Sequence, residues 1–219
     1  MSIHSDVFKT ISQELKEKKV TLVAVSKTKP VEDIEALYQL GQRDFGENYV
    51  QELVDKQASL PTDIRWHFIG HLQSNKVKYI APFVHLIHGV DSLKLLKEID
   101  KQAAKNNRII DCLLQIHIAT EETKFGMDQQ ELTAAMEQLE HFPNVRVCGL
   151  MGMASFTDDQ EKVRAEFKSL YDIFNTSGIG HLPSAILSMG MSGDYKIAIE
   201  EGSNMVRIGS LLFGARIYS

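Results

Sequence analysis

The sequence predicts an α/β protein in which residues 1–219 form a single (β/α)8 TIM barrel with an extra N-terminal helix. Short β-rich apolar runs alternate with helix-patterned stretches about eight times. This alternation implies parallel strands, because each return to the sheet needs a crossover connection. The main rival, a doubly wound open sheet, usually has a glycine-rich turn after its first strand. The segment after the first strand here is SKTKP (26–30), which contains no glycine, so the barrel is favoured.

The elements follow in the order that this fold requires. An amphipathic helix containing Ile3, Val7, Ile11 and Leu15 precedes the first strand. Later apolar residues recur at helical spacing between the strands, and no linker or repeat divides the chain. The predicted strands are Val20–Val25, Asp44–Gly46, Trp66–Ile69, Val84–Val90, Ile109–Ile118, Val145–Met151, Ser184–Leu187 and Met205–Ile208.

Composition excludes several classes of protein. The 219 residues carry a formal net charge of −5, which argues against a nucleic-acid-binding protein. No apolar run reaches about 18 residues, so no membrane span is predicted, and the polar start lacks the apolar centre of a signal peptide. Cys112 and Cys148 are predicted to be buried thiols of a cytoplasmic protein. No Cys or His spacing indicates a metal site, because His67 and His71 flank a strand-like segment.

Lys27 follows the first strand directly. In this fold the carboxyl ends of the strands carry the functional residues. Two interpretations are open for such a lysine. It is either a solvated loop charge or an amine at the barrel mouth, where partial burial would lower its pKa and favour imine formation.

Glycine and serine follow the last two predicted strands. The first of these segments is MGMSGD (189–194), and Arg207 is followed by Gly209 and Ser210. Glycines let backbone N–H groups approach an anion, and the loops after strands seven and eight often bind phosphate in this fold. Ordinary turns and helix caps are the alternative interpretation. A lysine beside a phosphate site suggests an aldehyde-bearing phosphorylated cofactor, pyridoxal phosphate.

Seven segments of the chain resemble the pyridoxal-phosphate homeostasis family, in that family's order. They are AVSKTKP, FGENYVQE, WHFIGHLQSNK, ETKFGM, LMGMA, LSMGMS and VRIGSLLFGAR. The resemblance implies the barrel found in the N-terminal domain of alanine racemase. It also implies a protein that carries or buffers pyridoxal phosphate in intracellular vitamin B6 and amino-acid homeostasis, with apo-enzymes that use this cofactor as recipients.

The resemblance implies a role for each matching residue. Lys27 would carry the Schiff base, Asn48 would line the cofactor, and Arg207 would face the pyridine nitrogen. The phosphate would be held by the residues at the ends of the last two strands, namely Met191, Ser192, Gly209 and Ser210.

Three positions depart from the family pattern, which commonly has threonine where Gly152, Asn204 and Ser210 stand. Ser210 keeps a hydroxyl, whereas Gly152 removes a side chain near the barrel mouth. Lys124, in ETKFGM, has two interpretations: a surface lysine, or an auxiliary amine or phosphate contact that helps the cofactor enter or leave.

The expected class is a non-catalytic carrier. An arginine stays protonated and would keep the pyridine nitrogen unprotonated, which disfavours carbanion chemistry. Racemisation needs a proton donor on each face of the substrate, and the barrel consumes the length in which a racemase's second domain would lie. We therefore expect a monomer without turnover, and a weak pyridoxal-phosphate-dependent amino-acid racemase is the alternative. A phosphosugar enzyme with Lys27 as its imine lysine would leave Arg207 poorly explained.

Overall fold

Eight parallel strands close into a barrel in the order in which they occur along the chain. The computed structural model describes residues 3–120 and 125–214. Strand β1 pairs in parallel with both β2 and β8, which closes the sheet and confirms the predicted (β/α)8 barrel. The strands are β1 (Thr21–Val25), β2 (Asp44–Glu47), β3 (Arg65–Phe68), β4 (Leu86–Val90), β5 (Ile110–Gln115), β6 (Val145–Met151), β7 (Ile186–Met191) and β8 (Met205–Ile208).

Helices surround the barrel, and the predicted extra helix precedes β1. Its residues Phe8, Ile11 and Leu15 are buried, and the His4 backbone N–H donates to the Leu212 carbonyl at 2.8 Å. The first and last described helices therefore pack together. The helices are α1 (Ser5–Glu17), α2 (Val31–Gln39), α3 (Val50–Ser59), α4 (Val77–Ile80), α5 (Leu93–Lys105), α6 (Gln129–Glu137), α7 (Gln160–Thr176), α8 (Tyr195–Glu200) and α9 (Ser210–Phe213), with 3-10 turns at Ser74–Lys76, Leu139–His141 and Ile179–His181.

Strand β7 differs most from its predicted bounds. The sequence places the strand at Ser184–Leu187 and assigns Met189–Met191 to a loop, whereas the strand spans Ile186–Met191. Gly190 has a φ of 96°, and the pairing with β8 shifts register between Ser188 and Met191. A glycine with positive φ at a bulge looks like a loop residue in the sequence, although the strand continues through it.

Alternation along the strands separates two cores. Trp66 and Phe68 pack outward with the helices, in the large cluster between the sheet and the helical layer. The barrel interior holds a small apolar cluster of Val23, Leu86, Leu113, Met151 and Met205. Since neighbouring strand residues point to opposite faces, the interior also receives polar side chains, which are His67, His88, Ser188 and Arg207.

The two cysteines differ in burial. Cys112 is buried as predicted, but Cys148 is only partly buried because it lies where β6 runs beside an exposed edge of the helical layer. Neither forms a disulfide. In the described part of the chain, no helix is both long enough and apolar enough to span a membrane.

Asn204 has a structural role at the amino-terminal end of the barrel. Its Oδ1 accepts from the Leu187 backbone N–H at 2.8 Å, and its Nδ2 donates to the Ala185 carbonyl at 2.7 Å. The side chain thus joins the start of β7 to the segment before β8. The departure at this position lies away from the carboxyl ends of the strands.

Candidate functional site

A cavity of about 380 Å³ lies at the carboxyl ends of β1, β7 and β8. All seven residues that the sequence predicts for cofactor contact line it, although they come from separate parts of the chain. They are Lys27, Asn48, Met191, Ser192, Arg207, Gly209 and Ser210. Lys124, the predicted auxiliary residue, lies outside the described residues.

Sequence reasoning missed several residues that also line this cavity, among them Ile69, Met153 and Phe156. Ile69 directly follows β3, and Met153 lies two residues beyond β6. Their position after strand ends was the available signal, but apolar residues there resemble core residues. Phe156 is 99% exposed, which places an aromatic ring at the rim.

The residue before Lys27 is fixed by a buried ion pair. The Ser26 hydroxyl donates to Glu47 Oε1 at 2.6 Å, and the Lys56 ammonium donates to the Ser26 carbonyl at 2.8 Å. The same ammonium lies 2.8 Å from Glu47 Oε1, and both side chains are almost fully buried. This pair therefore holds the backbone that carries Lys27.

The residues after Lys27 are held as well. Thr28 has a φ of 61°, and its backbone N–H donates to Glu52 Oε1 at 2.6 Å. The Lys29 ammonium donates to the Phe213 carbonyl at 2.8 Å, which ties the loop to α9. Because both neighbours are anchored, the Lys27 side chain starts from a defined position at the edge of the cavity.

Glu47 titrates in an unusual range. Burial raises the pKa of this carboxyl from 4.5 to about 7, against the opposing effect of the Lys56 ammonium and the Ser26 hydroxyl. A carboxyl whose pKa is higher in the folded than in the unfolded state stabilises the fold most at low pH. That stabilisation is lost as the pH rises from the unfolded pKa to the folded one.

We predict that Glu47→Gln flattens the pH dependence of stability. The free energy of unfolding of the original protein, relative to that of the variant, should fall by about 2–3 kcal/mol between pH 4 and pH 8. Urea denaturation at the two pH values measures this difference. Glu35→Gln, which removes an exposed carboxyl, is the matched control, and parallel profiles for the original protein and Glu47→Gln would contradict the prediction.

Backbone N–H groups gather where β7 and β8 end. The Ser192 hydroxyl accepts from the Gly209 N–H at 3.2 Å, which joins the two strand ends. Within residues 3–120 and 125–214, the N–H groups of Ser192, Gly193 and Ser210 have no protein acceptor. Such N–H groups beside glycine suit an anionic group that approaches the backbone closely.

Arg207 is the buried cation of the cavity. Its Nη1 donates to the Ser188 carbonyl at 2.9 Å and the Ser188 hydroxyl at 2.5 Å, and its Nη2 donates to the Gly152 carbonyl at 3.0 Å. These three bonds leave two of the five guanidinium N–H donors for a ligand. Burial lowers the pKa of Arg207 to about 10, against the opposing charge of Asp194, so it remains charged at neutral pH.

The structure also explains the glycine at position 152. Arg207 contacts this residue through the backbone carbonyl, so no side chain is needed for the contact. A Cβ atom there would lie 2.6 Å from Leu170 Cδ2 and 3.0 Å from Ile118 Cδ1. The two large neighbours occupy the space that a threonine would need.

Asn48 provides a polar atom without a partner. Its Oδ1 is buried and has no hydrogen bond within the described residues. An orphaned buried amide costs free energy unless a ligand or water satisfies it. The cavity thus combines an amine, a charged guanidinium, free N–H groups and this amide, and that set fits a phosphorylated aromatic aldehyde.

One cluster at the opposite end of the barrel interior contains atoms that metals often bind. Ligand atoms of Asp44, His67 and His85 lie within 4.8 Å of one another. Arg65, however, binds both oxygens of Asp44, and His67 Nε2 lies 3.0 Å from Asp44 Oδ1. Hydrogen bonds and an ion pair therefore already satisfy the carboxylate.

Comparison with known proteins assigns the chain to a family. Residues 6–217 match the family model described as alanine racemase, N-terminal domain. The chain is 43% identical over 205 residues to the pyridoxal phosphate homeostasis protein of Aquifex aeolicus, covering 90% of this chain and 87% of the relative. It is 38% identical over 216 residues to the protein of that name from Escherichia coli, covering 91% and 87%. The chain therefore belongs to the pyridoxal phosphate homeostasis protein family.

Solved structures agree with this assignment. PipY of Synechococcus elongatus with pyridoxal phosphate bound is 36% identical, with a TM-score of 0.81 over 90% of this chain and 93% of PipY. PipY without the cofactor has a TM-score of 0.88, with 35% identity, over 95% and 99% of the two chains. Alanine racemase from Bartonella henselae, at 18% identity and a TM-score of 0.69, shares the fold over 95% of this chain and 59% of its own.

Proposed function

We propose that this protein binds pyridoxal phosphate in the cavity and carries or buffers it through a Schiff base on Lys27. The observation that supports this proposal is the meeting of Lys27, Arg207 and the unpaired N–H groups in one cavity. Asn48 lines the ring. Met191, Ser192, Gly209 and Ser210 surround the phosphate, whose charge the N–H groups and Arg207 complement.

Pyridoxal phosphate supplies an aldehyde that forms an imine with an amine. Arg207 keeps its charge and faces the pyridine nitrogen, so that nitrogen stays unprotonated and the ring is a weak electron acceptor. Racemisation needs an acid–base group on each face of the substrate. Among the described residues no His, Tyr, Cys, Asp or Glu lines the cavity, and Lys29 is tied to the Phe213 carbonyl. These features support a carrier rather than an enzyme.

The alternative, a weak amino-acid racemase, is tested by incubating the loaded protein with single enantiomers of amino acids. We expect no interconversion after prolonged incubation, measured by chiral chromatography, because the cavity lacks a second acid–base group. Boiled protein and free pyridoxal phosphate are the controls. Turnover that requires the folded protein would establish the racemase instead.

Cofactor transfer tests the carrier role. Loaded protein is mixed with an apo-enzyme that needs pyridoxal phosphate, and recovery of the enzyme's activity is followed over time. We expect recovery as the carrier loses its visible absorption. A slower transfer by Lys124→Ala would support the auxiliary role of that residue, and unchanged transfer would reduce it to a surface lysine.

We further propose a cytoplasmic monomer, which keeps Cys112 and Cys148 as free thiols. Sedimentation velocity of the loaded protein measures the oligomeric state, and a stable dimer would contradict the monomer.

A further inference from the structure

A row of polar side chains crosses the barrel interior and ends at Arg207. Asp44, His67, His88 and Ser188 form this interior polar row. His67 Nε2 lies 3.0 Å from Asp44 Oδ1, and His67 Nδ1 lies 2.9 Å from His88 Nε2. His88 Nδ1 then lies 3.2 Å from the Ser188 hydroxyl, which is 2.5 Å from Arg207 Nη1.

The two ends of the row determine the direction of every hydrogen bond. Arg207 can only donate, so the Ser188 oxygen accepts from it and the Ser188 hydrogen points to His88 Nδ1. His88 then carries its hydrogen on Nε2 and donates to His67 Nδ1. His67 in turn carries its hydrogen on Nε2 and donates to Asp44, an ionised carboxylate that can only accept.

The electrostatics of the row agree with this direction. Burial lowers the pKa of His88 well below its usual value, and the neighbouring cations lower it further, which keeps the ring neutral. Burial raises the pKa of Asp44, but hydrogen bonds from Arg65 and His67 outweigh it and hold the pKa well below its usual range. A neutral histidine between a cation and an anion has one tautomer that satisfies both neighbours.

We infer that the interior polar row is a one-directional hydrogen-bond chain that orients the Arg207 guanidinium toward the pyridine nitrogen of the bound cofactor. The row fixes the Ser188 hydroxyl, and the hydroxyl fixes one nitrogen of the guanidinium. Its members are positioning residues, because they act through Arg207. The inference rests on the proposed binding of pyridoxal phosphate for its role, but the direction of the row does not depend on the cofactor.

Nitrogen NMR of the protein without cofactor tests the direction itself. In protein labelled with 15N-histidine, we expect His67 and His88 to be neutral at pH 7.5 with the hydrogen on Nε2. Assignment uses His67→Gln and His88→Gln. A hydrogen on Nδ1 of either ring, or an imidazolium, would overturn the inference whether or not the protein binds pyridoxal phosphate.

Cofactor titration tests the link to Arg207. We expect Ser188→Ala and His88→Phe each to weaken binding of pyridoxal phosphate about tenfold, the loss typical of one hydrogen bond to a charged group. The double variant should lose no more than either single one, because both interrupt the same chain. His88→Asn, whose Oδ1 can accept from Ser188 in place of Nδ1, should recover much of the affinity.

His85→Gln is the matched control. The His85 ring lies 5.4 Å from that of His67, between centroids, but it takes no part in the row. Its affinity should stay within about twofold of the original. Unchanged affinity in Ser188→Ala would contradict the inference even if His88→Phe fails to fold, and a protein that binds no cofactor would refute the proposed function while the NMR result stands.

Discussion

Lys27→Ala will leave a protein that borohydride cannot link to pyridoxal phosphate. Lys27 lies at the carboxyl end of β1 and lines the cavity with Arg207 and the free N–H groups at the ends of β7 and β8. Reduction of an imine fixes the cofactor on the lysine that formed it. We therefore expect a pyridoxyl adduct on the peptide that contains Lys27 in the original protein, and none in the variant, measured by peptide mass spectrometry.

Lys29→Ala is the matched control for this experiment. Lys29 lies two residues further along the same loop and also lines the cavity, but its ammonium donates to the Phe213 carbonyl. The adduct should remain on Lys27 in this variant. A full adduct on Lys29 in Lys27→Ala, or its loss only in Lys29→Ala, would show that the wrong amine has been assigned.

Lys56→Met will destabilise the protein more than most single substitutions. The Lys56 and Glu47 side chains are 6% and 0% exposed, and their charged atoms lie 2.8 Å apart. Removing one partner leaves the other as a buried, uncompensated group, which costs about 3–5 kcal/mol. Urea denaturation measures this loss, and the affinity for pyridoxal phosphate should fall as well, because the Ser26 carbonyl loses its donor.

Two further variants separate the ion pair from packing. Lys56→Met combined with Glu47→Gln removes both charges and should return to within about 1–2 kcal/mol of the original stability. Lys18→Met breaks an exposed pair with Glu14, whose lysine is 47% exposed, and should cost less than about 1 kcal/mol. Equal losses in Lys56→Met and Lys18→Met would contradict the importance of the buried pair.

The barrel could be predicted because strand–helix alternation is written in local periodicity. The cavity could be predicted as well, because Lys27 and Arg207 lie at strand ends, and a closed barrel brings the first and last strands together. The bounds of β7 could not be predicted, because Gly190 has the composition of a turn but lies in a bulged strand.

The buried polar groups were beyond sequence reasoning for a different reason. Lys56 looks like any charge on an amphipathic helix, and only the folded chain places it beside Glu47. The interior polar row joins residues from β2, β3, β4 and β7, separated by up to 100 positions in one hydrogen bond, between His88 and Ser188. Single-strand patterns show which residues point inward, but not which of them meet.

Titration of the purified protein with pyridoxal phosphate, followed by visible absorption, tests the central claim most directly. We predict saturable binding of one equivalent, with the absorption of a protein-bound imine that is absent from Lys27→Ala. Equilibrium dialysis on the same samples gives the bound amount independently of colour. A protein that stays colourless and retains no cofactor on dialysis would contradict the claim that this cavity holds pyridoxal phosphate.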